Sequence, residues 1–243
     1  MNGEAVKEMA ERFRKPEQVG DVIAAPTDWK LFDPNELIKP APKAAAFVVA
    51  TLASLVEYLK TNRDALDLTK VIVHIETPNR VSIGGSLRER SRDREMYLTA
   101  QAEDMTDGFI GKYHTIEHFI IGLQVRFCDC DDRAKLLEFV SNVRTEQSAT
   151  TTDDGVSQTL TARGVALVSA LPVPNPVTLT PFRTFRDIPQ PTSPYILRAH
   201  ATAGQLPQLA LMEADGGVWK LSTLGKIRDH LVGYLGDAIA VLA

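Results

Sequence analysis

The chain has 243 residues, of which 44% are hydrophobic and 24% are charged, and its formal net charge at pH 7 is −4. These proportions are those of an ordinary globular protein long enough to bury a substantial core, so the composition excludes wholesale disorder. The acidic balance argues against a dedicated nucleic-acid binder, although a local basic patch stays open.

The cysteines and the apolar runs indicate in which cellular compartment the protein resides. Only Cys128 and Cys130 are present, and a disulfide between residues two apart would be strained. Because the sequence also shows no signal peptide, we predict free thiols in a reducing cytoplasm. The longest apolar run, at about residues 44–56, is too short to cross a bilayer, so we predict no membrane role.

The N-terminal part is extended and rich in proline. Within residues 17–42, isolated large apolar side chains include Trp29, Leu31 and Phe32. A polar, extended segment with single apolar anchors is typical of an arm that lies across the same subunit or a neighbour. We therefore predict that residues 1–42 form an arm in which these three side chains make subunit contacts. A plain surface loop is the alternative.

After Pro42, apolar residues recur at helical spacing and predict a core helix over residues 43–62. Its predicted core positions are Phe47, Leu52, Leu55, Val56 and Leu59.

A charged hairpin is predicted over residues 80–105. Residues 70–76, 81–83 and 96–100 have the pattern of strands, whereas residues 86–95 are almost wholly charged with alternating signs. The plain interpretation is a solvated loop. The functional one is a protruding arm that contacts a subunit or phosphate, because guanidinium groups suit both carboxylates and phosphates. The arginines concerned are Arg88, Arg90, Arg92 and Arg94.

Downstream, apolar residues follow a 3.6-residue period over about residues 113–144, which predicts one long helix or a broken pair. Asp131 or Asp132 could cap its second part. An Asp-Asp-Gly turn at Asp153 leads into an alternating strand over residues 156–171, followed by an irregular, proline-punctuated β region.

The C-terminal part contains further strands and one helix. We predict strands at residues 195–200, 209–214 and 218–221, and a helix that begins at Thr223. Because no flexible linker interrupts the pattern, residues 43–243 are predicted to form a single intertwined α+β domain with mostly antiparallel β layers.

The sharpest chemical motif is His114-Thr-Ile-Glu-His118. On a helix, this spacing puts two imidazoles one turn apart beside a carboxylate, as in inverted zinc peptidases. Such a site needs a third ligand, and no later acid stands in the expected setting. We therefore predict two partly exposed helix histidines and keep a zinc hydrolase at His114, Glu117 and His118 as a minor alternative. The later acids are Glu138, Glu146 and Glu213.

Other candidate motifs are incomplete. Cys128-Asp-Cys130 lacks the two-residue spacer that lets two thiolates chelate one zinc ion, so we assign it to a helix junction. The glycine pairs at residues 84–85 and 216–217 lack the context of a phosphate or dinucleotide loop and are predicted to be turns. We predict no catalytic residue, metal or cofactor, and a non-enzymatic protein.

Four strings in the second half carry a family resemblance. They resemble the YfdQ-like family of phage and prophage proteins, and the likeness covers roughly residues 66–235. It implies a phage or prophage gene product in a bacterial cytoplasm and carries over no catalytic residue. The strings are Asp129-Cys-Asp-Asp-Arg-Ala-Lys-Leu-Leu, Thr152-Asp-Asp-Gly-Val-Ser-Gln, Val173-Pro-Asn-Pro-Val-Thr-Leu-Thr-Pro-Phe-Arg-Thr-Phe and Glu213-Ala-Asp-Gly-Gly-Val-Trp-Lys-Leu.

The order of the predicted elements is similar to that of the tailed-phage major-capsid fold and of encapsulins. From this architecture we predict a phage-encoded protein that self-assembles into a symmetric homo-oligomer of encapsulin-like or capsid-like kind. Its partners would be other copies of itself, with cargo or a phage or host protein as a further partner. The alternative is an accessory factor in phage DNA replication or recombination that binds nucleic acid or a host protein through the hairpin arginines.

Overall fold

A computed structural model describes residues 30–33, 36–38, 44–88, 92–144, 148–153, 158–163, 168–172, 174–200, 206–236 and 238–243. For the strands at residues 30–38 and 148–172 the backbone alone is described. Within the described ranges, α-helices occur together with mixed and antiparallel sheets, so the predicted α+β class is confirmed. The helices are α1 (Leu52–Thr61), α2 (Ile116–Arg126), α3 (Asp131–Arg144) and α4 (Val218–Leu235).

The strands form four sheets in the described part of the chain. They are β1 (Lys30–Asp33), β2 (Glu36–Ile38), β3 (Phe47–Val49), β4 (Ile72–Thr77), β5 (Arg80–Gly84), β6 (Met96–Gln101), β7 (His114–Thr115), β8 (Ser148–Asp153), β9 (Gln158–Arg163), β10 (Val168–Pro172), β11 (Val177–Leu179), β12 (Ser193–His200), β13 (Gln208–Glu213) and β14 (Ala240–Leu242).

The first layer is a five-stranded sheet in the order β14-β4-β5-β6-β3. Strands β4, β5 and β6 pair antiparallel, whereas the outer strands β14 and β3 run parallel to their neighbours. Helices α1 and α4 pack against the sheet because each has one apolar stripe. The shared core includes Leu55 and Leu59 of α1, Val73 and Ile83 of the sheet, and Ile227 of α4.

The second layer is an antiparallel sheet in the order β11-β12-β13-β7, covered by α2 and α3. Inward positions alternate along β12, so Tyr195 and Leu197 are buried with Phe119 and Leu123 of α2 and Leu136 of α3. Separate from this sheet, β8, β9 and β10 form a three-stranded antiparallel sheet, and β1 pairs with β2.

The predicted helix over residues 43–62 was too long. Residues of β3 precede it, and α1 begins at Leu52 after Thr51, whose extended backbone and side-chain oxygen cap the helix by accepting the N–H of Ser54 at 3.1 Å. The Phe-Val-Val of β3 consists of aromatic and β-branched residues, which favour strands. The predicted core positions on the helix, from Leu52 to Leu59, are confirmed, whereas Phe47 lies in β3 and is exposed.

Residues 113–144 form the broken pair rather than one long helix. The interruption comes after α2, where Phe127 adopts extended backbone and bridges Pro181. Asp131 and Asp132 lie in the first turn of α3, where acids oppose the positive end of the helix dipole. Asp132 also accepts the N–H of Thr178 at 2.8 Å, which attaches α3 to β11.

Two predicted strands in the second half need correction. The strand predicted over residues 156–171 is replaced by two strands, β9 and β10, which pair antiparallel with each other. Residues 218–221 form the first turn of α4 instead of a strand, since Gly216 and Gly217 adopt positive φ angles of 62° and 82° that end β13. The predicted strands at residues 70–76, 81–83 and 96–100 are confirmed as β4, β5 and β6. Those at residues 195–200 and 209–214 are confirmed as β12 and β13.

Candidate functional site

The charged loop of the predicted hairpin, residues 85–95, is closed by its own arginines. Arg88 Nη2 donates a hydrogen bond to Glu95 Oε2 at 2.6 Å, and Arg94 Nη1 donates to the carbonyl oxygen of Gly85 at 2.8 Å. Arg92 is exposed with φ 53°, and Arg90 lies outside the described residues. Arg88 and Arg94 therefore hold the loop together. The contact of Arg92 with a subunit or with phosphate stays a prediction.

The strands on either side of this loop, β5 and β6, are inner strands of the five-stranded sheet. At the base of the loop, a Cβ on Gly85 would lie 2.7 Å from the hydroxyl oxygen of Tyr97, so the close approach requires glycine. Burial, followed by the nearby Glu95 carboxylate, raises the pKa of the Tyr97 hydroxyl. The loop is therefore packed against the sheet at its base.

The predicted arm contacts are only partly within the described chain. Leu31 and Phe32 lie in β1, which pairs antiparallel with β2 through Leu31 and Leu37. Their side chains and all of Trp29 fall outside the description. The assignment of these three residues to subunit contacts therefore stays a prediction.

An apolar sheet edge that sequence reasoning missed follows directly after the arm. Strand β3 is one of the two outer strands of the five-stranded sheet, and its side chains Phe47 and Val48 are 59% and 76% exposed. Phe47 makes an edge contact with the Tyr58 ring of α1, with the ring centroids 6.2 Å apart. The edge went unnoticed in the sequence because its residues continue the helical spacing of α1.

The three-stranded sheet offers two further edges. In the order β10-β9-β8, the outer strands β10 and β8 each pair on one side only within the described residues. Strand β8 is Ser-Ala-Thr-Thr-Thr-Asp, a sequence that suits a strand but brings little apolar surface. The sheet meets the second layer where β9 contacts β12.

The His-x-x-Glu-His motif is not carried on one helix. His114 belongs to β7, and α2 begins only after Thr115, whose hydroxyl oxygen caps it, so Glu117 and His118 lie in the first helical turn. The His114 ring stacks on Phe109 at 4.5 Å and its Nε2 lies 2.9 Å from the Phe109 carbonyl oxygen. The prediction of two helix histidines is therefore wrong for His114, because Thr115 caps the helix and the first helical residue is Ile116.

The two cysteines lie at the junction of α2 and α3, as predicted. The Cys128 N–H donates to the Thr180 carbonyl oxygen at 2.8 Å. Burial raises the pKa of the Cys128 thiol, which makes its thiolate less accessible. Cys128 therefore connects the helix junction to the chain segment directly after β11.

A buried polar network in the second layer is the most specific arrangement in the described chain. Arg183 is 2% exposed, and its guanidinium donates to the carboxylate of Glu213, to Ser193 Oγ, and to the Tyr195 hydroxyl oxygen at 3.1 Å. The Ser193 hydroxyl donates onward to Asp215 Oδ2 at 2.7 Å. A buried cation is tolerated because two carboxylates and several acceptors compensate it.

The network also fixes the start of α4. The Arg183 guanidinium lies 3.7 Å from the ring centroid of Trp219, in the first turn of that helix. Burial acts to raise the pKa of Asp215, but hydrogen bonds from Ser193 and from the backbone N–H of Gly217 outweigh it and lower the pKa. Because Ser193 is 1% exposed, the network stabilises the fold and is not an accessible nucleophilic site.

Sequence reasoning did not find this network. The sequence indicated Glu213 only as a possible zinc ligand. It indicated Arg183 only as part of one of the four strings that carry the family resemblance. Thirty residues separate them along the chain, so no local spacing indicated the pair. The one available signal was an arginine within the apolar Pro-Phe-Arg-Thr-Phe segment.

A cavity of about 440 Å³ lies between α1 and α4. Val56 supplies an apolar wall, and Lys60 Nζ lies 5.3 Å from the ring centroid of Tyr234. The lining contains carboxylates as well as the ammonium group of Lys60, so its charge selects no ligand class. The lining residues are Ala53, Val56, Glu57, Lys60, Asp187, His230 and Tyr234.

Among the described residues, no helix is long and apolar enough to cross a membrane, and no group of three or more His, Cys, Asp or Glu could hold a metal ion. Comparisons of the chain with family models, curated proteins and solved structures found no match.

Proposed function

We propose that this chain is a phage-encoded building block that self-assembles into a symmetric homo-oligomer. The observation that carries the proposal is the apolar edge of the five-stranded sheet, with Phe47 and Val48 exposed on β3. Natural proteins usually protect a sheet edge with charge, proline or a covering segment. Within the part of the chain that the structure describes, β3 pairs only with β6, and its exposed aromatic and β-branched side chains are suited to contact with another subunit.

The energetic gain from covering this edge is substantial. Burying a large apolar side chain that was exposed contributes roughly 1.5–3 kcal/mol. Phe47 and Val48 are each more than half exposed but point to opposite faces of β3, so a contact on one face covers one of them and recovers part of that amount at every copy. In a closed symmetric assembly the same contact repeats, which removes all of the exposed edges together.

The phage origin rests on the family resemblance of the four strings. Three of them supply residues that tie the second layer together: Asp132 accepts the Thr178 N–H, and Arg183 pairs with Glu213. Residues of this kind hold the layer together in this chain, so a family member that carries the same strings is expected to share the fold of this layer. They do not name an activity.

The capsid-like or encapsulin-like form is the more specific part of the proposal. Its support is the order of elements, with an N-terminal segment before a helix, a charged loop, and β-rich layers. The long spine helix of that architecture corresponds here to α2 and α3, which are 11 and 14 residues long. We therefore expect electron micrographs of the purified protein to show closed shells.

Purified protein is expected to elute as an oligomer of defined size. Size-exclusion chromatography with multi-angle light scattering at micromolar concentration measures the molar mass directly, and the monomer mass is 26.7 kDa. Because the exposed edge is part of every copy, we expect one dominant species with an integral number of subunits. A clean monomer peak across the accessible concentration range would refute the proposed function.

Replacing Val48 by glutamate is expected to weaken the assembly at least tenfold in apparent dissociation constant, because a carboxylate would have to be desolvated in the contact. Val48 is 76% exposed, so the monomer should fold normally. The matched control is Ile121→Glu, since Ile121 is an apolar side chain 52% exposed on α2. Light scattering that shows equal weakening in both variants would argue against β3 as the specific contact.

A further inference from the structure

A second cavity, of about 160 Å³, lies on the face of the five-stranded sheet that points away from α1 and α4. The strand register places it there. Val73 and Ile83 are opposite each other and point into the core beneath the helices, so the next pair along, His74 and Ser82, points to the other face. Both of these side chains line the cavity. Two neighbouring strands therefore bring an imidazole and a hydroxyl side by side on one surface.

Ser82 has a hydroxyl group without a protein partner in the part of the chain that the structure describes. Its residue is only 2% exposed, and no described residue forms a hydrogen bond with its Oγ. Buried hydroxyl groups in folded proteins nearly always have a hydrogen-bond partner. Because Ser82 forms part of the cavity wall, a molecule bound in the cavity supplies that partner.

Arg94 gives the cavity its charge. Its Nη1 donates to the carbonyl oxygen of Gly85 at 2.8 Å, which holds the guanidinium at the cavity wall and leaves further N–H groups for a ligand. Glu95, the next residue in the chain, pairs instead with Arg88 and lines a different cavity. Unlike the cavity between α1 and α4, this one has no carboxylate among the described residues that line it. Its charge therefore selects an anion.

The rest of the wall is apolar. Ile72, Met96 and Leu242 line the cavity beside the polar groups. A Cβ on Gly84 would lie 3.2 Å from the sulfur of Met96, so glycine at this position leaves room for the methionine side chain. The volume is close to the roughly 150 Å³ that accommodate a benzene molecule in a protein interior. The cavity therefore admits an apolar group of about that size next to the anion.

We propose that this cavity binds a small carboxylate that carries an apolar body the size of a benzene ring. The carboxylate accepts hydrogen bonds from the Arg94 guanidinium and the Ser82 hydroxyl, and the apolar body lies against Ile72 and Leu242. A guanidinium suits a planar carboxylate because two of its N–H groups donate in parallel. All of these groups belong to one chain, so the site goes beyond the proposed assembly and does not depend on it.

Isothermal titration calorimetry of the full chain with benzoate tests the chemistry of the site. We expect saturable binding, and at least tenfold weaker binding of benzamide, its neutral analogue, because the charge-assisted hydrogen bonds are lost. Inorganic phosphate has the charge without the apolar body and should also bind at least tenfold more weakly. Benzamide or phosphate that binds as tightly as benzoate would overturn the proposed ligand class. The same holds if benzoate shows no saturable binding up to about 10 mM.

Replacing Arg94 by glutamine is expected to weaken benzoate binding at least tenfold. The glutamine amide retains a donor for the carbonyl oxygen of Gly85, so the loop should still close. The matched control is Arg92→Gln, which removes the same charge from the same loop at an exposed position outside the cavity lining. The control should bind benzoate as the parent protein does, and circular dichroism checks that both variants fold.

A second pair of variants carries the test if Arg94→Gln does not fold. Leu242 lines the cavity and is 52% exposed, so a polar residue there should leave the fold intact. Leu242→Glu places a carboxylate beside the bound anion, and we expect at least tenfold weaker benzoate binding than in Leu242→Gln, which differs only in charge. Equal binding within either pair of folded variants would refute the site. Light scattering on the same samples measures assembly separately, so a failed binding test leaves the proposed function standing.

Discussion

Replacing Arg183 by methionine is expected to lower the free energy of unfolding by about 3–5 kcal/mol, the usual effect of breaking a buried ion pair. Methionine keeps the unbranched apolar part of the side chain but leaves the Glu213 carboxylate, Ser193 and Tyr195 without their donor. Glu213 is 26% exposed, so solvent should keep the effect near the lower end of that range. Urea denaturation followed by circular dichroism measures the change.

The matched control is Arg186→Met. Arg186 also places its guanidinium 3.7 Å from an aromatic ring centroid, that of Phe182, but it is exposed and lies outside the buried network. We expect this substitution to cost less than about 1 kcal/mol, as exposed cation–π contacts do. Similar losses in the two variants would mean that ring stacking, rather than the buried hydrogen bonds, accounts for the effect of Arg183.

The network also shows what sequence patterns can and cannot indicate. Strand β12 was predicted almost to its ends. Its buried positions alternate with less buried ones, and such a pattern among neighbouring residues can be recognised from the sequence alone. The partners of Arg183 could not be predicted from the sequence. Ser193, Glu213 and Trp219 come close to it only when the sheet and α4 pack together. Long-range pairing depends on topology, which one sequence does not reveal.

The errors at helix starts have a simpler cause. Thr51 and Thr115 both accept a backbone N–H three residues later, and each fixes the first turn of its helix. The apolar spacing before Thr51 continues the helical period by coincidence, so periodicity alone extended the prediction into β3. If the helix had been predicted to begin after Thr51, the residue that caps it, residues 47–49 would have been left outside the helix. The exposed edge at Phe47 could then have been recognised as a strand.

The exposed apolar side chains of α4 were harder to predict than the core. A sequence shows that Val218 and Leu221 are apolar, and apolar residues are most simply assigned to a core. Only the packing of α4 shows that Trp219 and Ile227 occupy the inner side and leave these two outside. Exposed apolar residues of this kind become visible once the inner face of the helix is known, and that face depends on the whole layer.

Replacing Gly122 by alanine is expected to destabilise the fold by about 1–3 kcal/mol, although alanine favours helices over glycine by about 1 kcal/mol. The reason is close packing, since a Cβ at this position of α2 would lie 2.1 Å from Cε2 and 2.5 Å from Cζ of Phe109. The Phe109 ring cannot move aside easily, because it is buried, stacks on His114 at 4.5 Å and lies 5.8 Å from the Phe119 ring.

Gly233→Ala is the matched control, and it should change stability in the opposite direction. Gly233 lies in α4 with no atom within 4 Å of a built Cβ, so only helix propensity acts and we expect a gain of up to about 1 kcal/mol. If thermal unfolding gave gains at both positions, Phe109 would have to relax at little cost, and the packing of residues 105–111 onto α2 would be looser than its distances imply. A loss at Gly122 that Phe109→Leu partly restores would instead assign the effect to this one ring, because the smaller side chain removes the clash while leaving the helix unchanged.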